Sequence, residues 1–304
     1  MRHRLADDDD LELCLKQIGE IFDIQGMINQ SLTTEHIVHY YTTNKLAQLL
    51  WSSEGFFHYG ISYDGRYKKA DLQEPARLVE RYIRNTGASN VLELASGLGA
   101  NTAFLARRNP NVMFEAIDIS NKPLKRYTSL LNVHFRFCDY HDLSGLGTSY
   151  NLIFVIEALC CSTNKERVLR EAKRKLEPGG KLIVFDGYKR RRIPPLTRSE
   201  ERMWGLIEKS LSVDRIERLD DVEGYMEKEF LIEAAQDLSE YVLPSTMRFR
   251  PLIRLYLSHP AVARAINRIA PLDFMKNAIH LRLLSISLAR QIGCYYMHVL
   301  ANDR

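Results

Sequence analysis

The sequence predicts an α/β fold built on a doubly wound, mostly parallel seven-stranded sheet. Three observations predict it. Short apolar runs alternate with helical patterns along the middle of the chain, which is typical of a parallel sheet. The first run, 90–94, leads through a turn of small residues into a helix, the opening unit of such a sheet. The last run, 293–302, has no following crossover helix, so we expect it to pair antiparallel at one edge.

Residues 1–71 are predicted to form a helical and aromatic cap ahead of the sheet. Apolar residues at helical spacing indicate a helix over 11–22, with Asp10 as its N-cap, and a second helix over 34–50. The stretch 51–63 is rich in aromatic residues, Gly and Ser, which predicts a loop. Its rings either pack against the sheet or cover a bound cofactor and line a substrate cavity.

The sheet domain is assigned to residues 72–241 and 291–304. Its strands are predicted at 90–94, 114–117, 134–138, 150–156, 181–185, 230–238 and 293–302, and its main helices at 72–86, 164–176, 197–212 and 220–228. Thr197 and Glu200 form the pattern of a capping box. Residues 242–290 interrupt this domain. Apolar positions recur there at helical spacing with arginines between them, which predicts two or three amphipathic helices acting as a lid or an oligomer interface.

Bulk composition narrows the classes of protein. The chain has 304 residues, a net charge of +4 and 45% hydrophobic residues, which is ordinary for a soluble globular protein. No apolar run reaches the roughly 20 residues of a bilayer span, and the N-terminus lacks the apolar core of a signal peptide. We therefore expect a cytoplasmic protein. Five cysteines without a C-x-x-C pair argue against a disulfide framework and against a metal site.

The turn after the first strand predicts a nucleotide-like cofactor. Gly97 and Gly99 allow a ligand to approach the backbone, but the third glycine of a dinucleotide site is missing because Thr102 stands there. Acidic residues lie in the first strand (Glu93) and at the end of the second (Asp118). Two acids around a glycine turn favour S-adenosylmethionine, which has no pyrophosphate, over a dinucleotide.

Four segments, taken in order, resemble the motifs of class I S-adenosylmethionine-dependent methyltransferases: Val91-Leu-Glu-Leu-Ala-Ser-Gly-Leu-Gly, Ala116-Ile-Asp-Ile-Ser, Phe137-Cys-Asp-Tyr and Leu176-Glu-Pro-Gly-Gly-Lys-Leu. The terminal run Tyr295-Tyr-Met-His-Val-Leu resembles the antiparallel last strand of that family. Tyr40-Tyr41, residues 51–60 and Ile156-Glu-Ala-Leu-Cys-Cys resemble the sterol and tocopherol C-methyltransferases. Two residues depart from these patterns, Ala95 in place of a glycine and Cys161 in place of a histidine.

The resemblance implies a set of cofactor contacts: Glu93, Ala95, Ser96, Gly97, Gly99, Asp118, Ile119, Asp139, Tyr140 and Glu157. Glu93 and the backbone of the turn would hold the methionine part of S-adenosyl-L-methionine. Asp118 would accept the ribose hydroxyls, since an ionised carboxylate accepts hydrogen bonds only. Asp139 would bind the adenine amino group beside Tyr140.

Candidates for a catalytic base are His58, Glu157, Tyr59 and Glu54. Histidine has the most suitable pKa, although a histidine in an aromatic loop also fits a structural role. Glu157 suits either a base or a carboxylate that steadies a cation. Tyr40, Phe57 and Tyr59 are candidates for cation–π contact with the sulfonium.

The function predicted is methylation of a small apolar or amphipathic acceptor of the isoprenoid, sterol-like or lipid-like kind, with carbon preferred over oxygen or nitrogen by family analogy. Nucleic-acid methylation is disfavoured, because Glu-Ala-Leu-Cys-Cys stands where those enzymes carry Asn- or Asp-Pro-Pro, and only the basic run 189–192 supports it. A non-catalytic scaffold and a dehydrogenase are further alternatives. Contact with a membrane surface and homo-oligomerisation stay open.

Overall fold

A computed structural model describes residues 11–119, 123–147, 149–191 and 195–303. Its described residues form one seven-stranded sheet in the order β3-β2-β1-β4-β5-β7-β6. The strands are β1 (Asn90–Leu94), β2 (Met113–Asp118), β3 (Val133–Phe137), β4 (Tyr150–Ile156), β5 (Leu176–Lys189), β6 (Leu231–Asp237) and β7 (Gly293–Ala301). Strand β7 pairs antiparallel with β5 and β6, and the other neighbours are parallel. The predicted fold class, including the antiparallel last strand, is confirmed.

Helices flank this sheet and continue beyond it. In chain order they are α1 (Leu11–Ile21), α2 (Ile24–Ile28), α3 (Thr34–Thr43), α4 (Lys45–Trp51), α5 (Glu74–Thr86), α6 (Ala100–Arg108), α7 (Lys165–Lys175), α8 (Arg198–Ser210), α9 (Leu219–Glu229), α10 (Ser239–Met247), α11 (Arg250–Leu257), α12 (Pro260–Asn267) and α13 (Leu272–Ala289). Short 3-10 helices lie at Lys69–Gln73, Lys125–Tyr127 and Leu159–Cys161. None of the helices within the described ranges is long and apolar enough to cross a membrane.

Several boundaries differ from those predicted. The single helix predicted over 34–50 is wrong, because the chain breaks at Asn44 into α3 and α4. Three helices (α11–α13) occupy 250–289, within the segment where two or three were predicted, and a fourth helix (α10) over 239–247 was not predicted. Strand β5 starts before and continues beyond the predicted range 181–185, and the Tyr188 side chain near its end is buried. The capping box of Thr197 and Glu200 is confirmed, whereas Asp10 lies outside the described residues.

Three large apolar cores hold the molecule together. Two cover the two faces of the sheet. The third joins the N-terminal helices to the helices around 198–289, with Ile18, Trp204, Ile279 and Leu283 all buried in it. The N-terminal segment and the helices after β6 therefore share one core, which fixes them as a single helical layer.

Candidate functional site

The turn between β1 and α6 has three residues with positive φ: Ala95 (+53°), Gly97 (+56°) and Gly99 (+80°). A Cβ at Gly99 would lie 2.6 Å from Cε1 of Phe135, so only glycine fits there. A Cβ at Gly97 would meet nothing within 4 Å. The backbone at Gly97 is therefore open to a ligand, which fits a cofactor lying along this turn.

Two carboxylates support this turn from below. Glu93 is buried and accepts hydrogen bonds from Asn101 Nδ2 (3.2 Å), from the Thr102 backbone N–H (3.1 Å) and from the Thr102 hydroxyl. Burial raises the pKa of Glu93 to about 7, although these three hydrogen bonds oppose the shift. Asp118, the last residue of β2, accepts the Gly97 backbone N–H with its Oδ2 at 2.8 Å and so fixes the turn. A ribose contact is predicted at the same carboxylate.

The predicted adenine contacts lie one strand further out. Asp139 follows β3, and its half-exposed carboxylate accepts the backbone N–H of His141 (2.9 Å) and lies 2.8 Å from that residue's Nδ1. Tyr140 turns inward and donates to the Ala158 carbonyl at 3.2 Å. Ser96 is buried and donates its backbone N–H to Ile117 O at 2.8 Å, and Ile119 follows β2 beside it. These roles in cofactor binding stay predictions.

A cavity of about 870 Å³ opens on the other half of the same sheet edge. Glu157 follows β4 and Asp186 lies in β5, and both line its floor. Its walls come from the aromatic loop after α4 and from helices α11–α13, and they consist mainly of aliphatic and aromatic side chains: Leu50, Trp51, Phe57, Phe249, Leu252, Ile253, Leu255, Tyr256, Val262, Ile266, Phe274, Met275, Leu281, Leu284 and Leu288. This position agrees with the predicted lid, because helices α11–α13 line the same cavity as the floor residues Glu157 and Asp186.

Glu157 is the central polar group of this cavity. It has a φ of +51°, a strained conformation for a residue with a side chain. Its Oε1 accepts the Tyr59 backbone N–H at 2.7 Å and the Tyr295 hydroxyl at 2.9 Å. Burial raises the pKa of Glu157 to about 8, with a smaller contribution from the negative charge of Asp186. A carboxyl group in this state can take up or hold a proton near neutral pH.

The aromatic loop joins the two halves of the site through neighbouring residues. His58 is buried, with Nδ1 at 3.0 Å from Tyr59 O and Nε2 at 3.1 Å from Asn101 Oδ1. Asn101 in turn donates to Glu93 under the glycine turn, while the Tyr59 backbone binds Glu157. Burial lowers the pKa of His58, and both ring nitrogens already have protein partners, so His58 is placed to position the loop.

Sequence reasoning missed three residues of the site. Asp186 is buried and accepts the backbone N–H groups of Cys160 (2.7 Å) and Gly187 (2.8 Å), which holds the loop after β4 against the cavity floor. Tyr295 and Asn101 bind the two glutamates, as described above. An acid at the carboxyl end of a parallel strand is a signal that could have revealed Asp186. The other two depend on contacts between distant elements.

Some predicted candidates lie outside the cavity. Glu54 pairs with Lys69 at 3.1 Å and remains part-exposed, and Tyr40 is buried with its hydroxyl donating to Asn277. Phe57 and Tyr59 do line the cavity. Within the described part of the chain, no three His, Cys, Asp or Glu side chains gather in a group that could hold a metal ion.

Two cations of the basic run 189–192 are paired with acids. Lys189 Nζ lies 2.5 Å from Glu208, and Arg190 pairs with Asp237. Arg192 lies outside the described residues. The basic run 189–192 therefore gives less support to nucleic-acid binding than the sequence suggested.

Comparison with known proteins gives a common answer. Residues 91–180 match the family model described as a methyltransferase domain. The chain is 26% identical over 235 residues to the 27-O-demethylrifamycin SV methyltransferase of Amycolatopsis mediterranei, a match that covers 72% of this chain and 83% of that protein. It is 32% identical over 154 residues to an arsenite methyltransferase of Aquipseudomonas alcaligenes, covering 46% and 42% of the two chains.

Solved structures share the fold at low sequence identity. The cyclopropane synthase MmaA2 of Mycobacterium tuberculosis superposes with a TM-score of 0.67 at 13% identity, covering 90% of this chain and all of that one (100%). The geranyl diphosphate C-methyltransferase of Streptomyces coelicolor, solved with Mg²⁺, geranyl diphosphate and S-adenosyl-L-homocysteine, superposes with a TM-score of 0.60 at 15% identity, covering 88% and 97%. These likenesses agree with the Rossmann-like methyltransferase fold.

Proposed function

Because the chain is a class I S-adenosyl-L-methionine-dependent methyltransferase, we propose that it methylates a small, uncharged, apolar or amphipathic acceptor of the isoprenoid, sterol-like or lipid-like kind. One observation carries the proposal: the cavity of about 870 Å³ that ends at Glu157 has mainly apolar walls. A cavity of this size and lining suits a ligand that gains its affinity from burial of hydrocarbon.

The charge of the cavity favours an uncharged acceptor over a diphosphate. Among the described residues that line it there is no lysine or arginine. A nearby cation, Arg248, is already engaged: its guanidinium stacks 3.5 Å from the Trp51 ring centroid, donates to the Trp51 carbonyl at 2.6 Å, and hydrogen-bonds the Tyr67 hydroxyl. A buried diphosphate without a cationic partner would be strongly unfavourable. Geranyl diphosphate, bound by the Streptomyces relative, is therefore a poor model for this acceptor.

The residues of the site have different roles. When bound, S-adenosyl-L-methionine supplies an electrophilic methyl group on a good leaving group. The turn around Gly97, with Asp118 behind it, would hold that cofactor, and Glu93 would keep the start of α6 in place. Glu157, oriented by Tyr59 and Tyr295, accepts the proton that the acceptor loses. The apolar walls displace water from around the bound acceptor and orient it.

Methylation at carbon and methylation at oxygen both require a group that accepts a proton, which is the role proposed for Glu157. A hydroxyl acceptor loses its proton as it attacks, and an alkene acceptor loses a proton from carbon after attack has left a cation. Tyr41, Tyr59 and Trp51 line the cavity and favour a cation by contact with their rings, which supports carbon methylation as the first choice. Oxygen methylation is the second candidate, because a carboxyl group with a pKa of about 8, as at Glu157, suits removal of a hydroxyl proton.

An acceptor screen tests the proposal. The purified enzyme is incubated with radiolabelled S-adenosyl-L-methionine and matched pairs of acceptors, each pair being an isoprenoid alcohol and its diphosphate. We expect label in organic-extractable product for the alcohols and none for the diphosphates. Product mass spectra and proton spectra then separate carbon from oxygen methylation. Transfer only to the diphosphates, or only to water-soluble acids and amines, would reject the proposed acceptor class.

A further inference from the structure

The rim of the cavity is an exposed apolar surface. Leu252 and Leu255 on α11 and Val262 on α12 are 65%, 60% and 57% exposed, although all three also line the cavity. Ile269, just after α12, is 87% exposed. The opposite sides of these helices face the third core. We call Leu252, Leu255, Val262 and Ile269 the rim.

The rim lies within an unusually basic segment. Residues 248–272 contain five arginines and no aspartate or glutamate. Arg254 on α11 and Arg268 after α12 are exposed, so both reach solvent beside the rim. A second cleft of about 630 Å³, lined by Arg264, Arg268 and Lys276 among others, lies alongside. Asp23 also lines this cleft, Lys276 is paired with Asp273, and Arg264 donates to the Glu20 carbonyl at 2.9 Å.

We propose that the rim docks on an anionic lipid bilayer. A short amphipathic helix with large apolar side chains on one face and arginines beside them is suited to lie in the interface of a membrane, with its apolar face among the acyl chains. Each arginine near an anionic surface adds attraction of about 1 kcal/mol, equivalent to roughly fivefold in binding. The occupant proposed is the bilayer, because an unbalanced positive segment complements acidic headgroups better than it complements a second, equally basic copy of this chain.

The rim also connects that surface to the cavity. Leu252, Leu255 and Val262 have one side toward solvent and another toward the cavity, so an apolar molecule can pass between bilayer and cavity without crossing water. This step rests on the proposed function, since it assumes an apolar acceptor. The docking itself does not depend on it.

Vesicle co-sedimentation of the full chain tests the docking. The vesicles are phosphatidylcholine alone or phosphatidylcholine mixed with phosphatidylglycerol, at low and high salt. We expect binding to the mixed vesicles that weakens with salt. Ile269→Asp should weaken it at least tenfold, and Arg254→Glu or Arg268→Glu about fivefold or more each. The matched control is Leu131→Asp, which changes a leucine that is 97% exposed and lies just before β3, an edge strand of the sheet.

Melting curves of all four variants check that each is folded. Folded wild-type protein that ignores both kinds of vesicle, or that binds them equally, would overturn the docking. A dimer by light scattering that Ile269→Asp dissolves, with no vesicle binding, would assign the rim to a second copy instead. Because sedimentation needs no acceptor, failure of the docking is distinguishable from failure of the proposed function.

Discussion

The two halves of the sheet edge are built on opposite principles. On the β1–β2 side, a hydrogen bond from the Gly97 backbone to Asp118 fixes the turn of small residues, and one from the Thr102 backbone to Glu93 fixes the start of α6. On the β4–β5 side, two carboxyl groups, Glu157 and Asp186, lie at the floor of a cavity whose walls are apolar side chains from distant elements. We propose that the first half, the cofactor half, holds S-adenosyl-L-methionine through polar groups of the turn and the strand ends. We propose that the second half, the acceptor half, selects its ligand by shape and burial.

Replacing Glu157 should have the largest effect, because it should change turnover without changing cofactor binding. We expect Glu157→Gln to lower turnover by about 10²–10⁴-fold, because the proton acceptor is lost, while binding of S-adenosylhomocysteine is retained. Rates from single-turnover assays and calorimetric affinities measure the two effects. Glu54→Gln is the control, since that carboxyl group pairs with Lys69 outside the cavity and should leave turnover unchanged. A Glu157→Gln enzyme with normal turnover would remove Glu157 from the chemistry.

The next largest effect is expected at Gly99, where there is no space for a side chain. Gly99→Ala should lower the free energy of unfolding by about 2–3 kcal/mol, because its Cβ would collide with Phe135 at a positive φ. Gly87→Ala is the matched control: φ is +67°, but a Cβ there meets nothing within 4 Å, so its cost should be about 1 kcal/mol. Denaturant titration of both variants checks this. Equal losses would mean that the contact with Phe135 does not limit the turn.

Both halves should contribute a pH dependence of stability with the same sign. The native pKa values of Glu93 (about 7) and Glu157 (about 8) lie above the ordinary value of 4.5, so the native state favours the protonated forms. Their contribution is fully present below pH 4.5 and is lost as the pH rises to about 7–8. We expect Glu157→Gln to reduce the fall in melting temperature between pH 5 and 8 by roughly 2–4 °C. The exposed Glu201→Gln should leave the profile unchanged, and a Glu157→Gln profile equal to wild type would refute the shift.

The smallest effect concerns the strained first residue of the cofactor turn. Ala95→Gly should raise the free energy of unfolding by about 0.5 kcal/mol. A φ of +53° costs alanine about 1–2 kcal/mol, and the greater backbone entropy of unfolded glycine offsets part of the gain. Chemical denaturation measures it. A destabilised Ala95→Gly protein would show that the Ala95 methyl group contributes packing that outweighs the strain.

The same contrast explains what the sequence could predict. The cofactor half is local: one strand, one turn and one helix carry Glu93, Gly97 and Gly99 within seven residues, so spacing alone indicates the site. The mostly parallel sheet followed from the alternation of elements, and the antiparallel β7 from the absence of a helix after the last run, whereas the strand order was not predicted. Local patterns therefore predicted the fold and this half of the site.

The acceptor half could not be predicted in this way, because its residues meet only after folding. Tyr59 and Tyr295, which orient Glu157, lie 98 and 138 positions from it in the chain. Helical periodicity indicated helices after β6 but not all their breaks, since helices separated by only two to four residues leave a nearly continuous pattern. His58 illustrates the limit: its residue type suggested a base, and only its two contacts indicate a positioning role.

The division of the edge into two halves is tested most directly by calorimetric titration with S-adenosylhomocysteine. Three proteins are compared: the wild type, Asp118→Ala, and Ala278→Trp, which fills part of the cavity. We predict micromolar binding by the wild type, loss of binding in Asp118→Ala, and unchanged binding in Ala278→Trp together with loss of methyl transfer to apolar acceptors. Unchanged binding in Asp118→Ala, or loss of binding in a folded Ala278→Trp protein, would contradict the separation of the two halves.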